Sequence, residues 1–234
     1  GSLATSTIAA LTTDQVVALT TAQVSTLATA TLKALSSSQI QAIETADIQA
    51  LTSAQISTLT TATVAALSTD QIQALQTSQI NKLSTAGVAA LSTDQVVALT
   101  TEQVGNLTTA VVQALSTNAI AALETDDIQA LSNSSLAALK TGQVKALSTD
   151  QVVALTTAQM GSLSTSAINA LSSSQVAAIE TDDIQALSSK QLGSLATNTI
   201  AALSTEQVVA LTSDQVSTLA TSTIKALSSN QIQA

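Results

Sequence analysis

The sequence predicts an all-α solenoid of short helices, each of one to two turns, with one helix per eight-residue repeat. Three observations predict it. Aliphatic residues recur at two fixed places in every octad. Hydroxyl residues and Gln recur between them at capping spacing. The variable positions carry a longer rhythm, of about three and a half octads.

Counted from Leu3, the 234-residue chain divides into about twenty-nine octads without an insertion or deletion. Leu91-Ser92-Thr93-Asp94-Gln95-Val96-Val97-Ala98 is a typical unit, and its positions are numbered one to eight. Position one is Leu except at Ile43 and Ile179. Position six is aliphatic or Met, from Ile8 and Val16 to Met160 and Ile232. Position three is Ser or Thr except at Asn133, and Gln and Ala dominate positions five and eight. Residues 3–234 are therefore expected to form a single continuous solenoid with no internal boundary. Gly1-Ser2 has the form of a cloning scar, which implies excision from a longer chain. Irregular substitutions such as Gln76, Asn133 and Lys140 point to a natural segment rather than an array assembled from a consensus.

Two other backbones compete. A single straight helix fails, because eight residues at about 100° each leave about 80° of drift per octad. Its apolar positions would spiral around the rod. A β-solenoid is the alternative, since an even period preserves side-chain parity and Thr, Val and Ile suit strands. Its corners want Gly or Asn at positive φ. The glycines fall instead at unlike positions: Gly87 at five, Gly105 and Gly161 at seven, Gly142 at four.

Short helices fit better. Ser or Thr at position three is a natural N-cap, accepting from N–H groups that have no helical partner. Ser or Thr at position two makes a capping box with Gln at five, as in Ser92 and Gln95, so either residue can mark the boundary. Acids at position four sit in the first turn, where the helix dipole favours them. Position six and the next position one, such as Val96 and Leu99, are neighbours on one helix face. Ala at eight lets helices approach closely. No Gly stands where it would close each helix, so the usual C-terminal signal is missing. Helices this short are unstable alone and need stacking.

The longer rhythm appears twice. Acids at position four fall at Asp70, Asp94, Asp126, Asp150, Asp182 and Glu206, in steps that alternate 24 and 32. Position eight departs from Ala at Thr26, Thr58, Lys82, Asn106, Ser162, Ser194 and Thr218. Both series imply about 28 residues per superhelical turn. A coil of that size sets position five over position one, Gln over Leu, which breaks the like-on-like stacking of strands. Helices tolerate the half-octad offset because ridges pack into grooves. Leu and Ile side chains would fill the interior and leave no channel.

The composition excludes most chemistry. There is no His, Cys, Arg or Pro, and no aromatic residue. Ser and Thr therefore have no His to activate them, and no active-site role can be filled. The chain is expected not to be an enzyme, with no catalytic, cofactor-binding or metal-binding residue. The acidic pairs Asp126-Asp127 and Asp182-Asp183 fit helix N-termini better than calcium, which wants six to eight oxygens. Met160 is expected in the core. The rows of Ser and Thr fit capping better than an ice- or sugar-binding array. The net charge is −9, and the six cations (Lys33, Lys82, Lys140, Lys145, Lys190 and Lys225) are scattered, so no nucleic-acid partner is expected. No apolar run reaches the roughly 18 residues of a membrane helix, so no membrane insertion is expected. No polar capping unit closes either end, so end-to-end self-association through uncapped ends is expected.

Leu11-Thr12-Thr13-Asp14-Gln15-Val16-Val17-Ala18 resembles the opening of the TAL-effector DNA-binding repeat. The octad period and the absent basic surface set the chain apart from that family. Over residues 3–234 the chain resembles octad arrays of the Leu-Thr-Thr-x-Gln-Val-x-Ala type, found in giant proteobacterial secreted or surface proteins described as adhesin- or RTX-like. That resemblance implies an extracellular or cell-surface location and a rod-like structural spacer or stalk. The alternative is a binding module whose repetitive surface takes protein, glycan or ice.

Overall fold

The computed structural model describes Thr7 and residues 10–234. Gly1-Ser2, Leu3 and Ile8 lie outside the described residues. Among those described, the chain forms 28 helices and no strand, from Thr13–Val17 to Ser229–Gln233. The helices are four to six residues long and follow one another at one per octad, as the periodicity predicts. The described residues form two compact units, divided in sequence between Leu123 and Glu124. The octad register passes through that division unbroken.

Each helix starts one residue earlier than a cap at position three would place it. The N-cap is position two. Ser92 has extended backbone, φ −73 and ψ 164, and its hydroxyl accepts from the Gln95 N–H at 3.2 Å. Gln95 Oε1 accepts in return from the Ser92 N–H at 2.9 Å. Only position two stands three residues before Gln, so only this choice closes the reciprocal box. Position three becomes the first helical residue. Acids at position four lie in the first turn, as at Asp70, Asp94 and Asp150.

The helices close without glycine. No described residue other than Gly has positive φ, and no described Gly does either. The N–H of position one instead donates to the carbonyl of position six, as from Leu99 to Val96 at 3.1 Å. This is the tight i to i−3 turn common at helix ends. Leu at position one then turns extended, as at Leu75 with φ −60 and ψ 135. Two extended residues, Leu and the cap, thus re-aim the chain at every junction.

Positions one and six form the core of each unit. Val96 is fully buried and Leu99 nearly so, and Met160 occupies the same place as Val96 in its own octad. Helices pack on the third helix along. In the first unit Thr61–Ala66 contacts Thr85–Ala89, which contacts Thr109–Ala114. In the second, Asn133–Ala137 contacts Thr157–Ser162, which contacts Thr181–Ala186. Gly87 permits one close approach, since a Cβ there would stand 3.2 Å from Val64 Cγ2. No described helix is long and apolar enough to cross a membrane.

Candidate functional site

The feature repeated through both units is a glutamine clasp between successive turns. Leu67 lies on extended backbone between two helices, where no helical N–H reaches its carbonyl. A buried carbonyl without a donor is costly. Gln95, 28 residues later, donates from Nε2 to Leu67 O at 2.7 Å and to Val64 O at 2.9 Å. Gln55 holds Leu27 and Val24 in the same way, both at 2.9 Å. In the second unit Gln159 reaches Leu131 and Ile128, and Gln175 reaches Leu147 and Val144. Each glutamine is nearly fully buried.

One amide therefore does two jobs. Its oxygen caps its own helix, and its two N–H bonds satisfy the junction one turn earlier. Within each unit the offset of 28 residues is the turn length that the variable positions implied. Position five does sit over position one. Sequence reasoning had the juxtaposition and missed the bond, because a backbone carbonyl leaves no mark on residue type.

Eight overlapping stretches of the chain match one family model, the ALTTAQ repeat, from residues 40–77 to residues 189–221. Together they span 40–221 without a gap, well over half of the chain. This chain belongs to the ALTTAQ repeat family. The motif stands intact at Ala154-Leu155-Thr156-Thr157-Ala158-Gln159, which joins one position eight to the capping box and clasp of the next octad. No curated protein matches the chain.

The ALTTAQ octads depart from the clasp in two informative ways. In three of them both partners of the box change together: Glu44 with Asp47, Glu124 with Asp127, Glu180 with Asp183. The three Asp side chains are buried, and none of the three Glu residues makes a side-chain cap. Burial raises the pKa of Asp183, a hydrogen bond from the Thr157 side chain lowers it, and the charges of Glu180 and Asp182 raise it further. The acidic pairs are thereby split. Asp126 and Asp182 face solvent in the first turn, while Asp127 and Asp183 turn inward. No group of three or more metal-ligating side chains gathers among the described residues. At Glu206, on the surface, hydrogen bonds from its own backbone N–H, Ser204 and Thr205 hold the carboxyl below its usual range.

The second departure is at Val111, which cannot cap the Thr108 N–H. Asn81, one turn earlier, supplies the missing acceptor. Its Oδ1 accepts from Thr108 N–H at 2.9 Å, and its Nδ2 donates to Asn106 O at 2.9 Å. Lys140 shows the opposite economy. It has no hydroxyl to accept, yet its N–H still donates to Gln143 Oε1 at 2.9 Å.

Shallow polar grooves lie beside the junctions. One of about 400 Å³ is lined by Gln49, Gln73, Gln76, Thr100 and Glu102 in the first unit. One of about 340 Å³ is lined by Glu180, Asp182, Ser204 and Gln207 in the second. Their equivalent octad positions reflect the repeat.

Proposed function

We propose that this chain is a non-catalytic structural module, a stiff rod-like spacer within a larger secreted or cell-surface protein. The observation that carries the reading is the clasp. Gln, Ser and Thr, the polar residues that repeat most regularly, serve the chain's own backbone. No buried side-chain polar atom among the described residues lacks a partner. A site for chemistry usually keeps some polar groups unspent or strained. The extracellular placement rests on the resemblance to giant proteobacterial surface arrays. Small-angle scattering tests the shape. A rigid spacer gives a cross-section that stays constant as octads are added and a length that grows linearly. A globular or flexible-chain profile overturns the reading.

A second reading is a binding module for glycans, favoured by the hydroxyl- and amide-lined grooves. Its test is a glycan array probed with the whole chain. Saturable binding that is lost when Thr100 and Glu102 are replaced by Ala would favour it over the spacer.

A further inference from the structure

We propose that copies of this chain pack side by side, the lysine-bearing face of the second unit of one copy lying on the acidic face of the second unit of another. The lysines are far apart in the sequence, but a superhelix sorts residues by their place in the turn. In the second unit Gln159, Gln175, Gln191 and Gln215 each bond the position-one carbonyl 28 residues earlier, so residues 28 apart stand one above another. The remainder of a residue number on division by 28 is then its place around the turn. Lys140, Lys145, Lys190 and Lys225 leave 0, 5, 22 and 1. Every acid of this unit, from Glu124 to Asp214, leaves between 10 and 18. The two sets do not overlap, and their middles stand about half a turn apart. All four lysines are exposed, as are all of these acids but Asp127 and Asp183. The second unit thus carries its positive charge on one side and its negative charge on the other. The first unit, taken by itself, sorts its charges alike. Lys33 and Lys82 leave 5 and 26, and its acids, from Asp14 to Glu102, leave 10 to 19.

The acidic face has the shape and the apolar surface to take a lysine. The groove of about 340 Å³ opens there between turns, with Glu180 and Asp182 on one wall and Ser204 and Gln207 on the other. Val153 and Val209 both leave 13, in the middle of the same face, and are 42% and 62% exposed. Apolar surface beside carboxylates suits lysine, whose carbon stem covers the one while its ammonium reaches the other. Height along the unit grows with residue number. The groove lies between the turns of Asp182 and Ser204, and Lys190 stands level with it on the opposite side. A second copy set alongside in the same direction and register therefore brings Lys190 to the groove and Lys145 to Asp150. The two faces are different surfaces on opposite sides, so the contact is heterologous and extends into a row of parallel molecules.

Salt decides whether the faces act separately. At about 0.15 M the screening length is about 8 Å, well under the roughly 20 Å width of a coil with a helix on each side. Each face then acts by its own sign. At about 0.01 M the screening length of about 30 Å spans the molecule. Its net charge of −9 then acts as a whole, and copies repel. At about 1 M even close pairs are screened.

The test is sedimentation of the whole chain from about 10 μM to about 1 mM, the range of weak association, at those three salt concentrations. The expected mass climbs with concentration past the dimer at the middle salt, and climbs less at either extreme. Lys190→Glu and Glu180→Lys each reverse one face. Both introduce a residue already found at that octad position, as Glu206 at four and Lys140 at two. Either variant alone should weaken association by about tenfold or more. An equimolar mixture should recover it, since each variant keeps the face that the other has lost. Circular dichroism checks the helical signal, and a variant that loses it is replaced by Lys190→Asn or Glu180→Gln, after Asn198 and Gln76 at the same positions. A chain that stays monomeric at every salt concentration overturns the proposal. So does association undiminished at about 1 M salt, association that either single variant leaves unchanged, or a mixture no better than its parts. The spacer reading is tested separately by scattering from the dilute monomer and survives either outcome.

Discussion

Replacing Gln95 by Glu isolates the clasp from the cap. The side chains have nearly the same shape. The new carboxyl keeps one oxygen for the Ser92 N–H, now bonded at 2.9 Å. Its second oxygen falls where Nε2 now stands, 2.9 Å from Val64 O and 2.7 Å from Leu67 O. Two donated bonds are lost, worth about 0.5–1.5 kcal/mol each. Two carbonyl oxygens also lose a donor while facing a buried negative charge, and one-sided loss of a buried charged partner costs about 3–5 kcal/mol. The variant should therefore be less stable by about 3–5 kcal/mol at pH 7, against about 1 kcal/mol for loss of a cap alone. The neighbouring carbonyls raise the new group's pKa above its unfolded value, near 4.3 for Glu. A group raised in the folded state contributes stability fully below its unfolded pKa and loses it as pH rises through the folded pKa. The deficit relative to wild type should thus shrink on acidification, when the protonated carboxyl can donate again. Urea unfolding followed at 222 nm gives the stability difference at pH 7 and pH 4. Hydrogen exchange over residues 64–67 localises it, since a solenoid can open in parts. A variant within about 0.5 kcal/mol of wild type at pH 7, the range of an ordinary surface substitution, would refute the clasp. So would a deficit that ignores pH.

Three further outcomes follow from the same geometry. Asp183→Asn should raise the melting temperature at neutral pH. It removes a carboxylate whose pKa is raised by burial, and its advantage should fade as pH falls toward the ordinary value of 3.8. Asn81→Ala should cost about 0.5–1.5 kcal/mol, by removing the acceptor of the exposed Thr108 N–H, which water then replaces. Adding Val111→Gln should recover part of that loss, because Gln at position five can cap Thr108 directly. A double-mutant cycle with no coupling would show that Asn81 does not substitute for the missing cap. Leu136→Ala, at a fully buried position six, should cost about 2–5 kcal/mol in denaturant titration, and a cost below about 1 kcal/mol would mean that the core there is loose.

The fold was legible because two signals agreed. Aliphatics at positions one and six fixed the inward face, and the drift of acids and of position eight fixed the turn at about three and a half octads. The start of each helix was ambiguous because positions two and three both carry hydroxyls, as at Ser92 and Thr93. Gln95 resolves it through its distance from Ser92. The helix ends were not legible. Leu serves there in an extended conformation open to any residue, so nothing in the residue type announces it. The clasp, the inward turn of Asp127 and Asp183, and the bond from Asn81 to the next turn share one obstacle. Each depends on which backbone atom lies one turn away. The paired exchange of Ser-x-x-Gln for Glu-x-x-Asp was visible in the sequence, and marked three octads as different without saying how.

The clasp has a consequence for how such an array changes length. It joins a side chain to a backbone carbonyl, and every octad offers the same carbonyl at the same place. Gain or loss of one whole octad moves each Gln by one unit and hands it another position-one junction of the same kind. Copy number can therefore drift by duplication or deletion with little penalty to the seam. The exceptions are tailored pairs such as Asn81 with Thr108, which fit at one spacing only. They act as register marks, and a duplication between their partners would have to be repaired by a second substitution.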